Sequence, residues 1–218
     1  MHEIYAAETD DEPTAAGFGV ALATVLTTTE GRVLWLRAQR AVRLGGVAQA
    51  NGWAELGGTP GLALVGVVAD AMSLLRTAVD ALRCPTLGAV MVEGWGAMRE
   101  LDLTASRRLA LAAEKSGVPL LLLRFDAAPV PSAAQTRWQV AAAPSSALPD
   151  NAPGLPTFDV TLLRQRSGPC GLGWRLEWDR DQRMFRETAP SGAVVSPASH
   201  RPAAAGRAGS GSDERWVA

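Results

Sequence analysis

Leu101-Asp-Leu-Thr-Ala-Ser-Arg-Arg-Leu-Ala-Leu-Ala-Ala-Glu-Lys-Ser-Gly-Val-Pro-Leu-Leu-Leu-Leu-Arg124 carries two periodicities in one stretch, and together they decide the fold. From Asp102 to Ser116 the apolar set Leu103, Leu109, Ala110 and Ala113 falls at helical spacing. Asp102 or Thr104 can cap the start, and Gly117 stands where a left-handed C-terminal residue belongs. From Val118 to Leu123 the chain is apolar without alternation, a pattern suited to a strand covered on both faces. Helix, one-residue stop, buried strand: this is the repeating unit of a parallel α/β sheet.

The same alternation extends upstream. Val33 to Leu36, Leu62 to Val68 and Leu87 to Val92 are short apolar runs that read as further buried parallel strands. Ala71 to Leu82 is helical, with Arg76, Asp80 and Arg83 left for water and Pro85 preventing continuation. Ala15 to Leu26 and Val47 to Leu56 supply two weaker helical patterns. Downstream the pattern changes. Asp126 to Ser132 and Ala143 to Pro156 are loops, separated by a short strand at Arg137 to Ala141. Phe158, Val160 and Leu162, and then Trp174, Leu176 and Trp178, alternate with polar neighbours as half-buried strands do. Asp179 to Gln182 is a turn and Met184 to Arg186 the returning strand. The predicted fold is α/β: a mostly parallel central sheet, helices on both faces, antiparallel strands added at the C-terminal side. Residues 1–187 form one domain. From Thr188 the Pro/Ala/Gly/Ser-rich sequence has too little to bury to offset its ordering entropy, and a disordered tail is expected over 188–218.

Bulk composition narrows the function. The 218 residues carry a net charge of −1, without the basic surplus of an electrostatically driven nucleic-acid binder. Cys84 and Cys170 stand alone, and the two histidines, His2 and His200, lie at opposite ends. A zinc site and a histidine-assisted hydrolase are thereby excluded, and no metal is expected. No run approaches the roughly 18 apolar residues of a membrane span, nor does the N-terminus resemble a secretory leader. A cytoplasmic protein without membrane contact is expected.

The stretch 101–124 is joined by Pro131-Ser-Ala-Ala-Gln-Thr-Arg-Trp138, Phe158-Asp-Val-Thr-Leu-Leu-Arg164 and Trp174-Arg-Leu-Glu-Trp-Asp-Arg-Asp181. Together these segments resemble the ImuA family of bacterial inducible-mutagenesis proteins, over residues 2 to 187, and the order of elements is similar to the core of RecA. The resemblance implies a RecA-like domain, and RecA-like ATPases place a glycine-rich phosphate loop directly after their first strand. Here His2-Glu-Ile-Tyr5 resembles that strand. By position, Ala6 and Asp11 stand at the loop's glycines, Glu12 at its lysine and Pro13 at the hydroxyl that would hold magnesium. A unit charge about 4 Å from a phosphate is worth about 4 kcal/mol at an effective dielectric near 20. Exchanging lysine for glutamate swings that by about 8 kcal/mol, as much as the whole free energy of micromolar binding. Asp10 and Asp11 add repulsion. Two further positions carried over from RecA agree. Glu93 ends the strand that should carry the magnesium-organising aspartate, and Gln39 stands nearest to the catalytic glutamate. An amide orients water but is no base. No catalytic residue and no cofactor are therefore expected.

What the resemblance implies is a non-enzymatic accessory protein of the SOS response, serving mutagenesis and translesion synthesis. The implied partners are an ImuB-like polymerase-related protein and an error-prone DNA polymerase. RecA, and DNA reached indirectly, are further contacts, with the assembled complex on the nucleoid. The rival readings are a divergent RecA-like ATPase using Glu93 and Gln39, and a repair protein that binds DNA directly through its arginines. Residue by residue, alternatives stay open. Glu93 is either a relic of a nucleotide site or a carboxylate that caps a helix or pairs with an arginine. Arg99, Arg107 and Arg108 make a solvated helix face or a surface for phosphates. Arg124 is expected to pair with a carboxylate such as Asp126 or Glu93. Trp174 and Trp178 pack a core or, if exposed, mark a protein interface. Trp216, in the tail, is incidental or anchors a docking peptide. The chain starts at the edge of its first strand, without the segment that precedes this strand in RecA relatives. Either the start is assigned late or this member is shortened.

Overall fold

The computed structural model describes residues 1–27 and 31–188. One sheet of nine strands forms the frame, in the order β3-β2-β4-β5-β1-β6-β7-β8-β9. The first strand β1 (His2–Ala6) leads into helix α1 (Glu12–Leu26), and β2 (Arg32–Ala38) into the short helices α2 (Gln39–Gly45) and α3 (Ala50–Glu55). Then come β3 (Ala63–Val68), α4 (Ala71–Ala81), β4 (Leu87–Trp95), α5 (Leu103–Ser116) and β5 (Leu120–Phe125). Strands β3 to β6 (Thr136–Ala142) pair in parallel. From β6 the sheet continues antiparallel through β7 (Thr157–Gln165), β8 (Leu172–Asp179) and β9 (Met184–Glu187).

The unalternating apolar runs are explained by the two cores they serve. On β4 and β5, Ala89, Met91, Leu121 and Leu123 face α1, while Val90, Val92, Leu120 and Leu122 face Leu74 of α4 and Leu109 of α5. Each fully buried side chain of this kind contributes about 1.5–3 kcal/mol, so these two strands pin the sheet between its helical layers. Helix α1 lies close against the sheet because Gly19 permits it: a Cβ there would sit 2.8 Å from Leu123 Cδ2. At the C-terminal end of α5, Gly117 takes φ 75°, the left-handed stop expected of it.

The domain departs from the sequence reading in three places. The apolar run of β3 is not covered on both faces: Leu64, Val65 and Val67 are 44%, 47% and 53% exposed. β3 is the edge strand, pairing only with β2, and α4 packs over β2 and β4 instead. Of the helix expected over Val47 to Leu56 only Ala50–Glu55 forms, as α3; residues 46–49 stay outside any helix, Gly46 adopts φ 74°, and α2 before them is a helix the periodicity did not predict. Helix α1 begins at Glu12, three residues early, with Pro13 in its first turn, where a missing N–H costs nothing. The tail from residue 189 on, with Trp216, lies outside the described residues, as do residues 28–30, while Thr188 still donates its backbone N–H to Arg175 O at 2.9 Å.

Candidate functional site

The carboxyl ends of β1, β2 and β4 converge at the N-terminus of α1, the place where open α/β sheets bind ligands. In front of them α2 and α3 fold over a cavity of about 850 Å3, within the size range of small-molecule sites. Its floor is an ion pair. Arg37 and Glu93 lie opposite each other in register on neighbouring parallel strands. Arg37 donates from Nε to Glu93 Oε2 at 2.8 Å and from Nη2 to Oε1 at 2.7 Å, and both residues are buried. Trp95 Nε1 adds a third donor to Glu93 Oε1 at 3.0 Å, and Arg37 Nη1 donates to Gly46 O at 2.6 Å. The guanidinium also lies 5.3 Å from the centroid of the Trp35 ring. Of the alternatives for Glu93, pairing with an arginine is the one realised, and the pairing occupies both of its oxygens.

At the cavity rim the loop positions behave differently from one another. Glu12, first residue of α1, is only 7% exposed, and its Oε1 has no hydrogen-bond partner. Burial holds its carboxyl above the usual carboxylate range; the backbone N–H of Asp126 opposes the shift, and the charges of Asp126 and Glu93 reinforce it. Asp11 turns away: its Oδ1 accepts from the N–H of Ala142 at 2.8 Å and Oδ2 from the N–H of Glu8 at 3.2 Å, which ties the loop to β6. Asp10 and Pro13 are exposed and line the cavity, whereas Ala6 ends β1 outside it. Gln39 is exposed at the start of α2 and is not among the lining residues. The residue that reaches the site from this strand is Arg37, two positions earlier. Sequence reasoning passed over it, although a charge ending a buried strand beside the one carrying Glu93 is a readable signal. Trp35, Trp53 and Trp95, counted in the sequence only as numerous, form the aromatic wall.

The remaining candidates scatter. Arg107 and Arg108 are exposed on α5. Arg99 is exposed beside a second cavity of about 510 Å3, which Arg124 also lines. The carboxylate partner expected for Arg124 is not there. It is 3% exposed, donates from Nη2 to Gly96 O at 3.3 Å, and lies 5.9 Å from the Tyr5 ring centroid. Strand alternation is the reason: Glu93 points to the α1 face with Met91, and Arg124, one residue past Leu123, points to the opposite face. Of the two alternatives for the tryptophan pair, Trp178 realises the core: it is fully buried and donates from Nε1 to Leu56 O at 3.1 Å. Trp174 is half-buried against Trp138, ring centroids 6.0 Å apart. Among the described residues no group of three or more His, Cys, Asp or Glu could hold a metal ion. No helix among them is long and apolar enough to cross a membrane.

Strand order and site place can be set beside known proteins. No family model matches the chain. Among curated proteins, Protein ImuA from two strains of Caulobacter vibrioides is 36% identical over 191 residues, spanning 81% of this chain and 73% of that protein. The chain belongs to the ImuA family. Among solved structures, the crystal structure of the RadB recombinase superposes with a TM-score of 0.53 at 14% sequence identity, covering 86% of this chain and 90% of that one. At that identity the match speaks for the fold, which is RecA-like. This ImuA-family chain therefore keeps the RecA-like frame while the place after β1 holds Glu12 and Pro13 at the start of α1.

Proposed function

We propose that this ImuA-family chain is a non-enzymatic accessory protein of damage-induced mutagenesis. It uses its RecA-like surface to dock an ImuB-like polymerase-related partner and, in the assembled complex, an error-prone polymerase engaged in translesion synthesis. Family membership supports the process. The observation that carries the non-enzymatic part is the buried carboxylate of Glu12 at the start of α1, whose Oε1 has no hydrogen-bond partner. A triphosphate placed at this helix start would meet Glu12 and Asp10 where a loop lysine is needed, a repulsion of about 4 kcal/mol per charge at 4 Å. Glu93 accepts from Arg37 at both oxygens and from Trp95 at Oε1, so a magnesium ion there would compete with a bidentate pair for the same carboxylate.

Calorimetric titration of the purified chain with ATP and magnesium tests the reading. No heat of binding up to millimolar nucleotide is expected. Micromolar binding would overturn the non-enzymatic assignment and turn attention to a nucleotide-driven mechanism. Co-purification with an ImuB-like protein, retained in the absence of nucleotide, tests the docking role separately.

A further inference from the structure

Four charged side chains line the large cavity: Asp10, Glu12, Arg37 and Glu93. Arg37 and Glu93 neutralise each other in a bidentate pair, so the balance left to a ligand is two carboxylates and no cation among the lining residues. One of the two, Glu12, is nine-tenths buried with Oε1 lacking any donor, a state that costs free energy until a donor arrives. The walls are apolar and aromatic, with Trp35, Trp53 and Trp95 presenting indole rings. Indole faces attract cations, and Arg37 already lies against Trp35 in this manner. Phosphates and carboxylates are repelled by this lining, and a bare metal ion would leave most of the volume unfilled.

We propose that this cavity binds an organic cation, a guanidinium or ammonium head on an apolar body, with the head donating to Glu12 and the body held among the tryptophans. The ligand is either a free small molecule or the arginine side chain of a partner polypeptide. The site's chemistry is inverted relative to a phosphate site, and the inference holds whichever partner the protein docks.

Butylguanidinium, butyl sulfate and the peptides Gly-Gly-Arg-Gly-Gly and Gly-Gly-Gln-Gly-Gly are titrated into the full chain, read by tryptophan fluorescence and calorimetry. Butylguanidinium is expected to saturate and butyl sulfate not to do so over the same range. Glu12→Gln should weaken cation binding about tenfold, the loss of one charge-assisted hydrogen bond, while thermal unfolding shows it folded. Asp10→Asn, at an exposed position, should weaken it by a smaller factor and gives a second reading if the first variant fails to fold. The arginine peptide binding more tightly than butylguanidinium, with the glutamine peptide silent, assigns the site to a partner side chain; the reverse order assigns it to a free cation. Equal binding of sulfate and guanidinium, saturation by no cationic probe, or affinity unchanged in both variants would overturn the proposal.

Discussion

Glu12 shows how far the environment of one residue can depart from what its place in the sequence suggests. Exposed, its carboxylate could turn to water; buried at the start of α1, it feels the charges of Asp126 and Glu93, and Arg37, which lines the same cavity, is committed to Glu93. Its folded-state pKa is raised by burial, so the folded protein holds the proton more tightly than the unfolded chain does. Stability therefore falls as pH rises from the ordinary carboxylate pKa, about 4.3, through the raised folded value, and the penalty is complete above it. Glu12→Gln keeps the shape and removes the charge. We expect the variant to match the parent near pH 4 and to exceed it by about 1–3 kcal/mol at pH 8, a rise of a few degrees in melting temperature for a domain of this size. Thermal unfolding at both pH values checks this, and a variant less stable at pH 8 would count against a buried Oε1 without a partner. The pair Arg37–Glu93 is the complementary case. Its two members are ordinary in the sequence and become a site only because β2 and β4 bring them into register.

At the scale of elements, caps and edges govern what the periodicity cannot. Two residues of the sequence could cap α5, and the structure selects Asp102, whose Oδ1 accepts from the N–H of Ala105 at 2.7 Å. Asp102→Ala should therefore cost about 1 kcal/mol, and Thr104→Ala, at an exposed position inside the helix, a few tenths at most. Urea unfolding of the two variants separates them, and equal losses would contradict the cap. The same stretch was legible because capping, helical spacing and a glycine stop all agreed. Val47 to Leu56 was legible only from Ala50 on, because Val47 and Ala48 keep a helical spacing that the backbone does not follow. β3 shows the other limit. An apolar run reports strand propensity, while the coverage of its faces depends on where the strand falls in the sheet, and β3 falls at the edge.

Across the whole molecule, the antiparallel extension is tied back to the candidate site. Trp178 of β8 is fully buried among the residues around α1 and bonds Leu56, which lines the large cavity. Arg180 pairs with Glu55 at the end of α3. Phe18 on α1 meets Phe158 of β7 and Phe185 of β9 with ring centroids 5.5 and 5.1 Å apart, so the C-terminal strands wrap the same helix that opens the site. Trp178→Ala should cost about 3–5 kcal/mol in urea unfolding. Because Leu56 loses its anchor, it should also change the fluorescence of the cavity tryptophans in the native baseline. A loss below 1 kcal/mol would mean that β8 is peripheral. By itself the sequence determined the alternation of helix and strand and the parallel sheet with its antiparallel extension. These reside in local periodicity, caps and the chemistry of consecutive residues, while the RecA-like order was carried by the resemblance to the ImuA family. Only the tertiary structure decided that Glu93 belongs to Arg37 and not to Arg124, that Trp178 is core, that β3 is an edge, and that three tryptophans and a buried glutamate enclose one cavity. Those outcomes depend on strand order, register and the face each side chain takes, relations between residues tens of positions apart that no local pattern encodes.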